Sequence, residues 1–204
     1  MNIEDCSSLV ESLDFKICDD VVSLEDQNRI KDLFYGVEYP WFYNVDVSTD
    51  NGYQRRPGMF HKFLTNDGKV NSPHIDIVDS LVRYAEHVTG KQFKWVQRAA
   101  SFLQFPLSHD MIDHEVLDQY HIDSDRPDPF WVILYYVNDY DGQTVFSDTI
   151  YNGSEKVIVE HNDFNIIKRV DGKQGRFCFF DGRIYHSASQ PRKHMKSIIN
   201  INVG

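Results

Sequence analysis

Apolar and polar positions follow two different periods along the chain, and the change comes just before its middle. In the first 92 residues apolar positions recur at helical spacing. Leu24, Ile30, Leu33 and Phe34 line one side of a segment that opens at Ser23, with Asp26 three residues on in capping-box style, and closes at Gly36. Val78, Leu81, Val82, Ala85 and Val88 mark a second helix. It is predicted to start at Ser72-Pro73, with proline at the first helical position, and to end at Gly90. Both stripes are faces for core packing.

From Phe93 onward the pattern is that of strands. Phe93–Phe105 is long and rich in aromatic and branched residues, and Phe130–Val137 is an unbroken apolar run, the mark of a buried strand. Lys156–Glu160, Phe164–Val170, Arg176–Phe180 and Lys196–Val203 follow, with a turn from Asp171-Gly172 to Gly175. Many short strands imply a sandwich or barrel, and helices before strands imply an α+β fold with helices on one side of a β core. The expected organisation is a single domain over 1–204, with 1–92 a helical flank with long loops and 93–204 the β core. Two stretches read as irregular: the aromatic Tyr39–Phe63 and the polar, acidic Pro106–Gln119.

Composition narrows the classes of partner. With 204 residues, 41% apolar and 25% charged, the chain can bury a sizeable core unaided. A net charge of −10 argues against nucleic acid as the main partner, and Arg55-Arg56 and Arg192-Lys193-His194 read as solvated loops. Three irregularly spaced cysteines (Cys6, Cys18, Cys178) suit a reducing compartment rather than a disulfide framework. Without a membrane-length apolar run or a signal-like N-terminus, the expectation is a soluble cytoplasmic protein.

The candidate chemistry is His-x-Asp, which puts an imidazole and a carboxylate on one side of an extended strand. The pattern occurs three times. His74/Asp76 falls at a helix start, where residues two apart diverge and Asp76 serves the helix dipole instead. His161/Asp163, around Asn162, reads as a hairpin turn. His121/Asp123 precedes the buried strand Phe130–Val137. Two polar side chains buried there need partners, which a metal would supply, whereas an exposed strand end would need none. A third ligand must come later. His186 follows a strand and the tight Asp181-Gly182 turn, and His194, its competitor, sits in a charged run. On the last strand, period two places Lys196 with Asn200 on the less apolar face, aimed inward, where a cation needs an anion.

Tyr120-His121-Ile122-Asp123, Ile133–Asn138, Gly142–Phe146, Gly175–Phe180, His186 and Lys196-Ser197-Ile198, in this order, resemble the 2-oxoglutarate/Fe(II) oxygenases, most closely the prolyl-4-hydroxylase-like branch. The resemblance covers Phe93 to the C-terminus. It implies a double-stranded β-helix (jelly-roll) core and iron held by His121, Asp123 and His186. It implies that Lys196, ten residues past the last histidine, pairs with the far carboxylate of 2-oxoglutarate, with Arg192 as fallback and Tyr135 as a supporting hydroxyl. Gln104, or Arg98, is the candidate polar contact from the Phe93–Phe105 strand. One glycine of the family's pair is replaced by Asp141. The implied reaction consumes dioxygen and 2-oxoglutarate and hydroxylates a substrate, by family default a prolyl residue in a peptide or protein. Two other readings stay open: a zinc hydrolase, since two histidines and an aspartate also suit zinc, and a metal-binding jelly-roll module without turnover.

Overall fold

The structure is a computed structural model that describes residues 15–47, 57–65, 67–106, 117–124, 128–153, 158–159 and 164–204. Its elements, in chain order, are β1 (Lys16–Cys18), α1 (Leu24–Tyr35), β2 (Phe42–Asn44), β3 (Gly58–Lys62), α2 (Ile75–Thr89), β4 (Val96–Gln104), β5 (Tyr120–His121), β6 (Trp131–Tyr136), β7 (Tyr140–Ile150), β8 (Ile158–Val159), β9 (Ile166–Gly172), β10 (Phe177–Asp181), β11 (Ile184–Ala188) and β12 (Lys196–Val203). They form a seven-stranded sheet in the order β1-β10-β6-β12-β4-β3-β2 and a five-stranded sheet in the order β8-β5-β11-β7-β9. The strand pairings are antiparallel, and the two sheets make a double-stranded β-helix with helices on one side.

The apolar run of β6 is unbroken because both of its faces are covered. Ile133, Tyr135 and Val137 join Phe177, Phe179, Ile199, Ile201 and Val203 on the outer face of the large sheet, against Ile30 and Phe34 of α1 and Ile77, Val78, Leu81 and Ala85 of α2. Val132, Leu134 and Tyr136 face the other way, packing with Cys178, Phe180, Phe146, Val170 and Ile184 between the sheets.

Helix α1 matches its sequence signals: the Ser23 hydroxyl accepts from the Asp26 amide and Gly36 is the C-cap. Helix α2 ends at Gly90 in the left-handed conformation but starts later than its sequence suggests, at Ile75 with His74 as N-cap. The Ser72 hydroxyl accepts from the His74 amide at 3.1 Å and meets His61 Nε2 at 2.8 Å. Residues 73–74 therefore form a turn, and Pro73 is not the first helical residue.

The N-terminal part is more than a helical flank. It contributes β1, β2 and β3 to the large sheet, so the stretch Tyr39–Phe63 holds two paired strands, with Phe42 opposite Phe60 and Phe60 opposite Phe102. A three-residue strand is too short to display period two. Strand β7, eleven residues long, escaped notice because it starts on Tyr140-Asp141-Gly142-Gln143, a composition typical of turns. The His161/Asp163 pair lies outside the described residues.

Candidate metal centre

The site is built where the chain passes from one sheet to the other. Strand β10 belongs to the large sheet and β11 to the small one, and Gly182-Arg183 joins them. Gly182 is required by close packing: a Cβ there would lie 2.0 Å from the Phe130 ring. The Asp181 carboxylate accepts from the Arg183 amide and from its guanidinium, which tightens the turn. The chain then enters β11 with His186 directly opposite His121 of β5.

This register brings together residues 65 positions apart, the two imidazole centroids lying 4.6 Å from each other. His186 Nε2 lies 4.0 Å from Asp123 Oδ2, and one ligand atom from each of His121, Asp123 and His186 falls within 4.8 Å of the others. The remaining ring nitrogens face backbone carbonyls: His121 Nδ1 meets Gln119 O at 3.1 Å and His186 Nδ1 meets Ile184 O at 3.0 Å. A carbonyl has no proton to give, so each Nδ1 carries the hydrogen and each Nε2 is left with its lone pair. Backbone contacts of this kind orient imidazoles for a metal. Burial, reinforced by the adjacent His186 imidazole, pushes His121 down to about 4, keeping it neutral. Burial works to raise the Asp123 carboxyl, but His186, Arg98 and His121 outweigh it and hold it below the usual carboxylate range. Both of its oxygens are met: Asn200 Nδ2 donates to Oδ2 at 2.9 Å and Arg98 Nη1 to Oδ1 at 3.3 Å. Two imidazoles and one carboxylate make a donor set suited to a divalent first-row ion.

The cavity around these residues, about 340 Å³, is also lined by Arg98, Gln104, Asp118, Leu134, Thr144, Lys196 and Asn200. Lys196 is 4% exposed, and its Nζ has no hydrogen-bond or ion-pair partner among the described residues. Burial lowers it to about 8, against the upward pull of Asp118. Lys196 pairs in register with Gln104, whose buried Oε1 likewise lacks a partner among the described residues.

Two other sequence candidates lie elsewhere. Tyr135 points into the layer between the large sheet and the helices, the face opposite Leu134, because neighbours on a strand alternate. The aromatic residue beside Lys196 is Tyr140, with Nζ 5.8 Å from its ring centroid. Arg192 does not line the cavity. Its amide and those of Lys193 and His194 bond the Asp141 carboxylate, folding this segment into a surface turn. The same turn carries His194 away from the other two ligands. Sequence reading missed Thr144 and Asp118, and it did not foresee that Arg98 and Asn200 would bracket Asp123. The inward period of β12 was the available signal for Asn200.

No protein-family model and no curated protein matches the sequence. Among solved structures the chain is similar to a 2OG-Fe(II) oxygenase family oxidoreductase from Burkholderia pseudomallei (TM-score 0.65, 12% identity, 100% of this chain and 91% of that one). It is also similar to the non-heme alpha-ketoglutarate-dependent epimerase SnoN of nogalamycin biosynthesis (0.61, 12%, 99% and 82%). A third is a prolyl hydroxylase from Trichoplax adhaerens in complex with a hypoxia inducible factor peptide (0.57, 14%, 98% and 88%). At such identities the likeness is one of backbone architecture, and the chain has the double-stranded β-helix fold of the 2-oxoglutarate/Fe(II) oxygenases.

Proposed function

We propose that this protein is an Fe(II)- and 2-oxoglutarate-dependent oxygenase. The observation that carries the reading is a buried ammonium with no hydrogen-bond or ion-pair partner among the described residues, in the same cavity as a converged His-Asp-His set. A buried cation without a hydrogen-bonded anion is costly, and a dicarboxylate co-substrate reaching from the metal would supply one. His121, Asp123 and His186 hold the iron. Lys196 binds the far carboxylate of 2-oxoglutarate, with the Gln104 amide beside it. Iron bound there supplies the chemistry that couples oxidative decarboxylation of 2-oxoglutarate to oxidation of a substrate C–H bond. In the balanced reaction, one atom of dioxygen enters the substrate as hydroxyl, the other enters succinate, and carbon dioxide leaves.

The protein's own part is positioning and shielding. Gln119 O and Ile184 O fix the imidazole tautomers. Asn200 and Arg98 keep Asp123 ionised and oriented. Phe146 and Phe180 pack on the His186 ring and keep water from that side. Fold neighbours include an epimerase and a prolyl hydroxylase, so architecture alone does not choose the substrate. A prolyl residue in a peptide is the substrate that the sequence resemblance implies.

The test is succinate formation from 2-oxoglutarate, with and without prolyl peptides, on protein loaded with iron or with zinc. Turnover with iron alone is expected. Zinc-dependent hydrolysis without succinate would replace the reading with a hydrolase, and metal binding without turnover would leave a binding module.

A further inference from the structure

This inference rests on the oxygenase reading and concerns how the co-substrate anchor is held in place. Lys196 sits where the chain passes abruptly from solvent to interior: Met195 is exposed and Lys196 is buried. A lysine at the end of a strand can return its ammonium to water by a small rotation of the backbone, and solvation of the charge favours that movement. Period two makes 196 an inward position, but it does not hold a charged side chain there. The backbone on both sides of the residue has to be fixed.

Asn138 does this. Strand β6 ends at Tyr136, and its ladder with β12 ends on the pair of Tyr136 with Ile198. The chain continues through Val137, whose amide donates to Ser197 O at 3.0 Å. Beyond that point the Asn138 side chain extends the ladder in place of backbone. Its Nδ2 donates to Met195 O at 2.7 Å, and its Oδ1 accepts from the Ser197 amide at 2.9 Å. These two groups flank Lys196 and face the same edge of β12, as alternate residues of an antiparallel strand do. On the other edge, Lys196 is in register with Gln104 of β4. The grip needs a donor and an acceptor on one short side chain, which an amide has and a carboxylate or an alkyl group lacks. The turn just before Lys196 is held from the same stretch of chain, since the Asp141 carboxylate accepts from the amides of Arg192, Lys193 and His194. Asn138 does not itself line the metal cavity, so any effect it has on a ligand there passes through Lys196.

We propose that Asn138 is a positioning residue for the co-substrate: it clamps the backbone on both sides of Lys196, so that the ammonium faces the far carboxylate of 2-oxoglutarate and not solvent. Asp141 supports it by fixing the turn that leads into β12. Together they set the selection of a dicarboxylate over a monocarboxylate 2-oxo acid, because only the former reaches Lys196.

The experiment is calorimetric titration of Mn(II)-loaded protein with 2-oxoglutarate and with pyruvate, which has the same chelating end and lacks the far carboxylate. The wild type should prefer 2-oxoglutarate. Asn138→Ala should lower that preference about tenfold, the low end of what a hydrogen bond to a charged group contributes. The whole loss should fall on 2-oxoglutarate, with Mn(II) and pyruvate affinities at wild-type values. A general loosening of the fold would weaken all three. Lys196→Met should remove the preference, and adding Asn138→Ala to it should change nothing further, because the amide acts only through the ammonium. Asp141→Ala is the second variant, for the case that Asn138→Ala does not fold, and it should lower the preference severalfold. An unchanged preference in Asn138→Ala, or in Asp141→Ala where the first variant does not fold, overturns the proposal. So does an equal loss for the two acids, or a further loss on the Lys196→Met background. Wild-type protein without the preference overturns the oxygenase reading and this inference with it, whereas a wild-type preference indifferent to these substitutions overturns this inference alone.

Discussion

Lys196 shows how one residue serves binding at a cost to folding. Its pKa is lowered from 10.5 to about 8, with burial as the main cause. Between about 8 and 10.5 the unfolded chain binds more protons than the folded one, so stability should rise with pH across that window. Below about 8 both states are charged and the full desolvation cost is present, on the order of 3 kcal/mol. Lys196→Met should therefore stabilise the ligand-free protein at pH 7, and the difference should close towards pH 10.5, as measured by urea unfolding. The same substitution should raise the 2-oxoglutarate requirement strongly while sparing metal binding. In the wild type, 2-oxoglutarate affinity should fall as pH rises through about 8, approaching tenfold per unit, because a neutral amine no longer pairs with the carboxylate. Unchanged 2-oxoglutarate binding in Lys196→Met would remove Lys196 from the site. Asp123→Ala and His186→Ala should each abolish tight Mn(II) or Fe(II) binding. Normal loading of either variant contradicts the ligand set.

Two turns set the geometry at the scale of elements. Gly182 lets the chain pass from β10 to β11 against Phe130, and so aims His186 at His121. Gly182→Ala leaves both histidines in place in sequence, yet it should impair metal binding and lower stability by about 1–3 kcal/mol through overpacking. Calorimetric metal titration alongside thermal unfolding measures both effects. At the end of α2, Gly90 has φ +70° with nothing near its would-be Cβ. Gly90→Ala should cost only the conformational strain, about 1 kcal/mol, and leave the site intact. The contrast separates a turn that builds the site from one that only ends a helix.

At the scale of the whole molecule, the metal ligands come from the small sheet and the loop after β5, and the co-substrate anchor comes from the large sheet. A ligand that bridges them ties the two sheets together. Mn(II) and 2-oxoglutarate together should raise the unfolding temperature more than Mn(II) alone, with about 2.7 kcal/mol of added stability at a hundredfold excess over Kd. Thermal scans at increasing 2-oxoglutarate check this, and no added shift would mean that Lys196 and the metal do not share a ligand.

Much of this was legible without coordinates. Helix α1 with its Ser23 cap, the buried run of β6, the inward period of β12 and the shared strand face of His121 and Asp123 follow from local spacing, because periods of 2 and 3.6 decide which side chains share a face, whereas His186 as their partner came from the family resemblance. The side on which a face lies is a different matter. Tyr135 and Leu134 are both apolar enough for either face of β6, and only the position of the helices sent Tyr135 away from the cavity. Arg192 and Lys196 are four residues apart, and the Asp141 carboxylate made one a turn residue and left the other in the cavity. Strand β3 depends on pairing with β4, whose residues lie 38 to 46 positions further along the chain, and β2 depends in turn on pairing with β3. Local pattern specifies elements and ligand types. Which residues converge is decided by long-range register, which no short stretch of chain contains.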